Sequence, residues 1–485
     1  MQTMVKYLLR GLVVPISLFL AVGCAHMGEI RPQSKLQNPQ GIASSELITE
    51  KVVPVDAWWA IYEDPQLDRL IKQSLEGNPS LKLAKIRVEQ AKAVTQIQNG
   101  LRMPELNAGA NFSRELYSKT WYFPQPIGGG VFWNNLATMD LSYDLDLWGK
   151  QESLISASAN EAQAIQEEGR EVQLALITAV VRAYVQLDLQ CKLVEMAKKD
   201  QLIWKQNYAL TLKRVNAGIE SGDNLDGIEA QLTQKDSRVE AMETSVFLAK
   251  NQLAALVGIG SAGAAQITPP KLSLSGNLEL PSDIPLDLIG RRPDVAASRW
   301  RVESAGSRID AAKADFYPNI NILGFIGFQG FGFNQLLGGK SNVYGYGPAI
   351  SLPLFDGGRR NGRLQLETSL YDESVERYNK ALIDALQEVG DNLVKLQGNQ
   401  KELQLARKTL LLTERKSAAK RAAWRVGFGE YQQVLVNQSF ELEKQESVMR
   451  LESFRLHEYA GLMYSLGGDA STKSTRVQAP QVDGS

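Results

Sequence analysis

Residues 292–321 (RPDVAASRWRVESAGSRIDAAKADFYPNIN) lie without a gap on residues 78–107 (NPSLKLAKIRVEQAKAVTQIQNGLRMPELN). Pro293 meets Pro79, Arg301-Val302-Glu303 meets Arg87-Val88-Glu89, Ala305 meets Ala91, Pro318 meets Pro104 and Asn321 meets Asn107. In each copy a proline opens a proline-free helical stretch, and a second proline closes it before alternating residues begin. Two further markers recur in the same order: Leu145 to Gly149 against Leu352 to Gly357, and Arg214 to Gly218 against Arg425 to Gly429. The chain is therefore an internal duplication, which fixes how its elements repeat before any single element is assigned.

Each half reads helix, strand, loop, strand, long helix, glycine turn, helix. The first repeat spans 56–282, with strands at 105–118 and 131–147, a helical hairpin at 149–258 and a linker at 259–282. The second spans 283–468, with a helix at 293–315, strands at 319–331 and 342–355, and a hairpin at 357–466. Ahead of them, residues 1–23 read as a signal peptide: Lys6 and Arg10 precede an apolar run too short to span a bilayer as a mature helix. Residues 24–55 read as a polar tether and 469–485 as a disordered tail.

The strands carry period-two alternation. Ala137, Met139, Leu141, Tyr143, Leu145 and Leu147 alternate with Thr138, Asp140, Ser142, Asp144 and Asp146. Leu106, Ala108, Ala110 and Phe112 alternate with polar neighbours in the first strand. In the second repeat Ile320, Ile322, Ile326 and Phe328 share one face of their strand, and Tyr344, Tyr346, Pro348, Ile350, Leu352 and Leu354 share one face of theirs. Such strands have one oily and one wet face. Four strands are too few to close a barrel, and an open edge cannot sit in lipid, so they must pair with strands of other copies. Trp121, Tyr122, Trp133, Tyr344 and Tyr346 would suit interfacial girdles.

The helices are long. No proline occurs between Pro126 and Pro269 or between Pro353 and Pro480. Leu382, Val389, Leu396, Leu403 and Leu410 recur every seventh residue, a heptad seam joined by Leu386 and Leu393. A continuous helix from Gly149 to Gly218 would run about 100 Å.

Bulk numbers exclude several functions. The net charge is −1, from 53 basic and 54 acidic residues, which gives no support for nucleic-acid binding. With two cysteines (Cys24, Cys191) and two histidines (His26, His457), neither a metal cluster, a disulfide framework nor a catalytic triad is expected. Gly339-Lys340-Ser341 resembles the end of a phosphate-binding loop, but Asn334 stands where the first glycine belongs.

The chain resembles the TolC-like outer-membrane efflux proteins, lipoprotein branch, the outer component of RND-type tripartite efflux systems. The resemblance rests on Cys24 after Ala21-Val22-Gly23; Trp58-Trp59 followed by Asp64-Pro65-Gln66-Leu67; Asn78-Pro79; Asp144 to Lys150; Gly218 to Asp226; Arg291 to Asp294; Phe316-Tyr317-Pro318; and Leu352 to Gly358. It implies a membrane α+β fold: a homotrimer whose four strands per chain make a 12-stranded β-barrel continuous with a long periplasmic α-helical barrel. It also implies lipidation at Cys24, no cofactor beyond that lipid, no enzymatic activity, and an outer-membrane location. The partners it implies are a periplasmic adaptor (membrane fusion) protein and an inner-membrane RND-type pump.

In such a duct the hairpin turns form a periplasmic gate. The candidates are Asp223, Asp226, Trp424, Arg425, Glu430 and Val436, with Val436 standing where relatives carry an aspartate. Packing of Val436 or a link from Asp226 to Arg425 would close it. Asp140, Asp144 and Asp146 would face the lumen and favour cations. The function implied is passive exit of small toxic solutes from the periplasm. A duct for protein secretion and a non-conducting, lipid-anchored coiled-coil scaffold are the two other readings.

Overall fold

The computed structural model describes residues 27, 29–37, 57–120, 122–272, 290–334 and 336–468. The signal segment, Cys24, Trp121, most of the tether, the second half of the linker and the tail lie outside them.

Proline and a capping side chain open each early helix. Asp64 accepts a hydrogen bond from the Gln66 N–H at 2.9 Å and starts α1 (Pro65–Gly77). Asn78 does the same for α2 (Pro79–Leu101) through the Ser80 N–H at 2.8 Å. Strands β1 (Glu105–Leu116) and β2 (Val131–Asp144) follow, then α3 (Lys150–Asn216), α4 (Gly222–Val257) and the short α5 (Gly260–Ala264). The second repeat gives α6 (Pro293–Ala314), β3 (Asn319–Phe331), β4 (Asn342–Ser351), α7 (Arg359–Arg425) and α8 (Tyr431–Ser465). The duplication is visible in the lengths: α3 and α7 have 67 residues each.

The chain divides into two compact units, and neither is one repeat. The first comprises Met1–Leu36, Arg87–Gln166 and Ala297–Asn379; the second comprises Gln37–Ile86, Glu167–Ala296 and Lys380–Ser485. Both repeats contribute to both units.

The first unit holds one antiparallel sheet in the order β1-β2-β3-β4. Directly paired residues share a face. Leu106 faces Leu141, Met139 faces Ile326, Ile326 faces Tyr344 and Ile320 faces Ile350. The apolar runs of all four strands therefore lie on a single side. Its side chains are uncovered: Ile350 is 70 % and Tyr346 87 % exposed. Beside the sheet, Ile309, Ala312, Phe316 and Leu364 form a small core that Met27 and Ile30 pack against.

Three strand ends fall short of expectation, the least at β1, which ends at Leu116 rather than 118. β2 stops at Asp144 rather than continuing to Leu147, because Asp146 turns to φ 43°. Its carboxylate then accepts from the N–H groups of Gln151 and Glu152, both at 2.9 Å, at the start of α3. β4 stops at Ser351 rather than 355, just before Pro353, which has no N–H for the ladder. Asp356 repeats the capping role, accepting from the Gly358 and Arg360 N–H groups at 3.1 and 3.2 Å.

The second unit is helical. Its core joins Trp58, Tyr62 and Ile71 to Val180, Tyr184 and Leu187 of α3, Leu253 of α4, Leu396 of α7 and Leu462 of α8. Each such burial contributes about 1.5–3 kcal/mol. The heptad residues Leu382, Val389, Leu396 and Leu403 are buried. Further along the same helices, the buried positions become polar: Asn207 and Thr211 on α3, Thr413 and Ser417 on α7. The Asp64-Pro65-Gln66 motif is also explained here. Asp64 accepts from the Tyr184 hydroxyl at 2.6 Å and the Lys271 N–H at 2.9 Å, and Gln66 reaches Tyr184 and Thr268.

Candidate functional site

Two surfaces carry the candidate residues, one in each unit. In the sheet unit, the side opposite the apolar face is polar. Register places Asn107 against Asp140, Gly109 against Thr138, Glu105 against Ser142 and Asp144 against Asn321 on that side. Asp140 is exposed and accepts a hydrogen bond from Thr138 at 2.9 Å. Asp144 accepts from the Asp146 N–H at 3.1 Å and from Asn319 at 3.3 Å. Both stand where the alternation put them. Asp146 does not: the turn after Asp144 takes it out of the strand and makes it a helix cap.

This wet face also holds aromatic residues that alternation alone passed over. Phe325 pairs directly with Asp140 on one side and Gly345 on the other. At one end Tyr117 packs on Phe331 with ring centroids 5.4 Å apart, and Phe132 lies 5.7 Å from Phe331. Phe331 pairs with Asn134, and Glu115 with Phe132, so this cluster occupies the wet side. The loop residue Phe123 folds onto it, 5.4 Å from Tyr117. Of the expected girdle residues, Tyr122 neighbours this cluster, 4.8 Å from Phe123, while Trp133 contacts Phe333 at 5.3 Å.

In the helical unit the two hairpin turns have one backbone form. α3 ends where Gly218, at φ 73°, donates to the Val215 carbonyl and Ile219 donates to the Arg214 carbonyl, both at 2.9 Å. α7 ends where Gly427, at φ 83°, donates to Trp424 at 3.0 Å and Phe428 to Ala423 at 2.9 Å. This is the glycine stop with a six-residue closing bond, which needs a left-handed residue at its centre. The residue after each glycine is usually tucked back on the helix. Here it points to solvent: Ile219 is 69 % and Phe428 88 % exposed.

The gate candidates cluster at these turns but do not pair with one another across them. Asp223 and Asp226 lie exposed in the first turns of α4 and make no side-chain hydrogen bond or ion pair among the described residues. The link from Asp226 to Arg425 is absent within the chain; Arg214 pairs instead with Glu220 at 2.9 Å. Glu430 precedes α8 without a side-chain capping bond. Trp424 packs on Tyr431 at 4.6 Å. Val436 is 46 % exposed between the buried residues Leu435 and Asn437.

Polar ties that the sequence did not single out join the first hairpin to α8. Asp200 of α3 holds Lys235 at 2.9 Å and accepts from Ser439, which in turn receives the Trp204 indole N–H at 3.2 Å. Arg238 of α4 pairs with Glu446, which also holds Arg450 at 2.7 Å. Burial pushes the Glu446 carboxyl up, but the hydrogen bonds from Arg450 and Arg238 outweigh it and hold it below the ordinary range. Cys191 is half-buried in mid-helix with a thiol raised by burial, consistent with a packing role. Among the described residues no group of three or more His, Cys, Asp or Glu could hold a metal ion.

The chain thus combines a four-stranded sheet of one oily and one wet face with duplicated helical hairpins. The model of the outer membrane efflux protein family covers residues 70–259 and 284–468. The chain belongs to this family. It is similar to the fusaric acid resistance protein FusA of Burkholderia cepacia, 35 % identical over 361 residues, covering 73 % of this chain and 68 % of that one. It is 28 % identical over 424 residues to the multidrug resistance outer membrane protein MdtP of Escherichia coli (strain K12), covering 86 % of each. Among solved structures, the outer membrane protein VceC from Vibrio cholerae matches with a TM-score of 0.79 at 29 % identity, over 86 % of this chain and 99 % of that one. The outer membrane channel CmeC of Campylobacter jejuni shares the fold, with a TM-score of 0.81 over 90 % of this chain and 94 % of that one, at 19 % identity.

The chain is thus an outer-membrane efflux protein with the TolC-like fold. Family membership gives the exposed apolar face its solvent, the lipid of the outer membrane. It accounts equally for the length of the helices, which reach into the periplasm.

Proposed function

We propose that the protein is one third of a trimeric exit duct that passively carries small toxic solutes out of the periplasm. The observation that carries this reading is the sheet: four strands, with β1 and β4 unpaired on their outer edges, and an uncovered apolar face. Unpaired edges are not tolerated in hydrocarbon, and four strands are too few to close on themselves. Three copies joined edge to edge make 12 strands with the oily face outward and the acidic face lining a lumen. The chain itself supplies no energy; an RND-type inner-membrane pump does.

The hairpin turns form the periplasmic end, with Asp223, Asp226, Trp424, Arg425, Glu430 and Val436 around the gate. The exposed apolar residues Ile219 and Phe428 suit docking of the periplasmic adaptor, because an uncovered aromatic at a rigid turn is an anchor in search of a pocket. Lipidation at Cys24 fits the same reading. Met27, three residues on in the sequence, packs against the small core of Ile309, Ala312, Phe316 and Leu364 beside the sheet.

Two measurements test this. Detergent-extracted protein should elute as a trimer of the lipidated mature chain; a monomer would overturn the proposal. In planar bilayers the trimer should conduct, with Val436→Ala and Asp226→Ala raising the open fraction. Absence of current in all three forms would favour the envelope scaffold.

A further inference from the structure

The wet face of the sheet is unusual in its charge. Its paired positions carry Glu105, Glu115, Asp140 and Asp144, and no Lys or Arg from any of the four strands falls on that side. In its middle stands a single large aromatic side chain, Phe325, surrounded by small and polar partners. We propose that Phe325 and Asp140 form a binding site for organic cations that carry a flat apolar body. This rests on the reading of the wet face as lumen, and goes beyond it by assigning a solute class to named residues.

Three features carry it. First, Asp140 and Phe325 are directly paired, so their side chains leave adjacent strands on the same face, about 5 Å apart at their Cβ atoms. Second, the ring is seated. A Cβ at position 345 would come within 2.6 Å of the Phe325 ring, so the ring lies over the bare backbone of Gly345. Any side chain there would lift it. Third, the two residues share an open surface depression of about 670 Å³, lined also by Leu136, Thr138, Gln329, Asn342, Val343 and Tyr344. Thr138 donates to one Asp140 oxygen and steadies it; the other is left for a ligand.

The chemistry follows from these parts. A cation beside Asp140 gains Coulomb attraction that no lysine or arginine of the strands neutralises. Its apolar body stacks on Phe325, and cation–π attraction adds to the stacking. Anions are repelled by the same face. Gln329 and Thr138 offer neutral hydrogen-bonding groups at the rim, which suits loose and reversible contact rather than capture.

The test uses the intact trimer in planar bilayers, with two probes of equal charge. Benzyltrimethylammonium carries a ring and tetramethylammonium does not. In the wild type the ring-bearing cation should block current at a concentration about tenfold lower. Phe325→Leu should bring the two probes to near equality, and Phe325→Tyr should keep them apart. Asp140→Asn should weaken block by both probes about threefold or more. Unblocked conductance and trimer elution, measured for each variant, show that it has folded. If current flows but block ignores the ring, or survives both Phe325→Leu and Asp140→Asn, the site does not exist and the duct reading stands. If no form conducts, the duct reading fails and takes this site with it.

Discussion

At Gly218 and Gly427 the two longest helices end on the same pair of hydrogen bonds, yet the two turns are fastened by different chemistry. The first turn is held by charge: Arg214 pairs with Glu220, and Asn224 donates to Glu220 as well. The second is held by rings, Trp424 against Tyr431. The first has three acids close by, Glu220, Asp223 and Asp226; the second has Glu430 alone. Duplication preserved the backbone, which glycine and the closing bonds specify. It left the side chains free to diverge, because a turn of this form asks nothing of them beyond the glycine. Of the two, the first turn is the acidic surface and the second the apolar one, so in the proposed duct a gate ring of acids would draw on the first hairpin.

Six substitutions probe that contrast. The largest effect is expected from Phe428→Ser, which removes the more exposed of the two apolar anchors. Adaptor docking should weaken tenfold or more, as for a hot-spot aromatic, seen as lost drug tolerance with trimer levels unchanged. Ile219→Ser should cost less; equal losses would mean the turns are not specialised. Next comes Glu446→Gln, which breaks the tie from the first hairpin to α8 by about 1–3 kcal/mol. Because the folded carboxyl is held low, this stability is present above the ordinary glutamate value of about 4.3 and is lost as pH falls through the folded one. Denaturation midpoints of wild type and variant should therefore differ at pH 7 and converge only once the pH has fallen below the lowered value of the folded carboxyl. An offset that persists unchanged in acid would remove the ion pair from the account.

Gly218→Val and Gly427→Val force a branched residue into the left-handed region, at about 1–2 kcal/mol each. Matching shifts in urea midpoint are expected, since the two turns share one backbone form; unlike shifts would refute that identity. The smallest change is Arg214→Ala, below about 1 kcal/mol because the pair is partly solvated. Its trace should be a faster amide exchange confined to the first turn. Protection loss at the second turn too would show the tips to be coupled.

Much of this architecture could be read from residues. The proline pairs marked where helix gives way to strand, and the buried heptad from Leu382 to Leu403 followed its spacing. The strand ends were less legible. Alternation runs unbroken through Asp146 and Leu147, but period two records only where side chains would point if the backbone continued. It does not: an aspartate able to cap α3 competes with the ladder and wins. Phe325 was missed for a related reason. Its significance lies in Asp140 and Gly345, its partners on other strands, and no local pattern links those positions.

The sequence by itself determined the repeat, the order of elements, the long helices, the oily and wet sides of each strand, and the glycines that end the hairpins. These depend on neighbours three, four or seven residues away, or on one residue's own backbone freedom. Only the tertiary structure decided that the four oily sides coincide, that each compact unit takes parts of both repeats, that Asp146 is a cap, and that Arg238 and Glu446 tie hairpin to hairpin. Each of these depends on which distant segments meet and in what register, and a one-residue slip in that register would have exchanged the two faces.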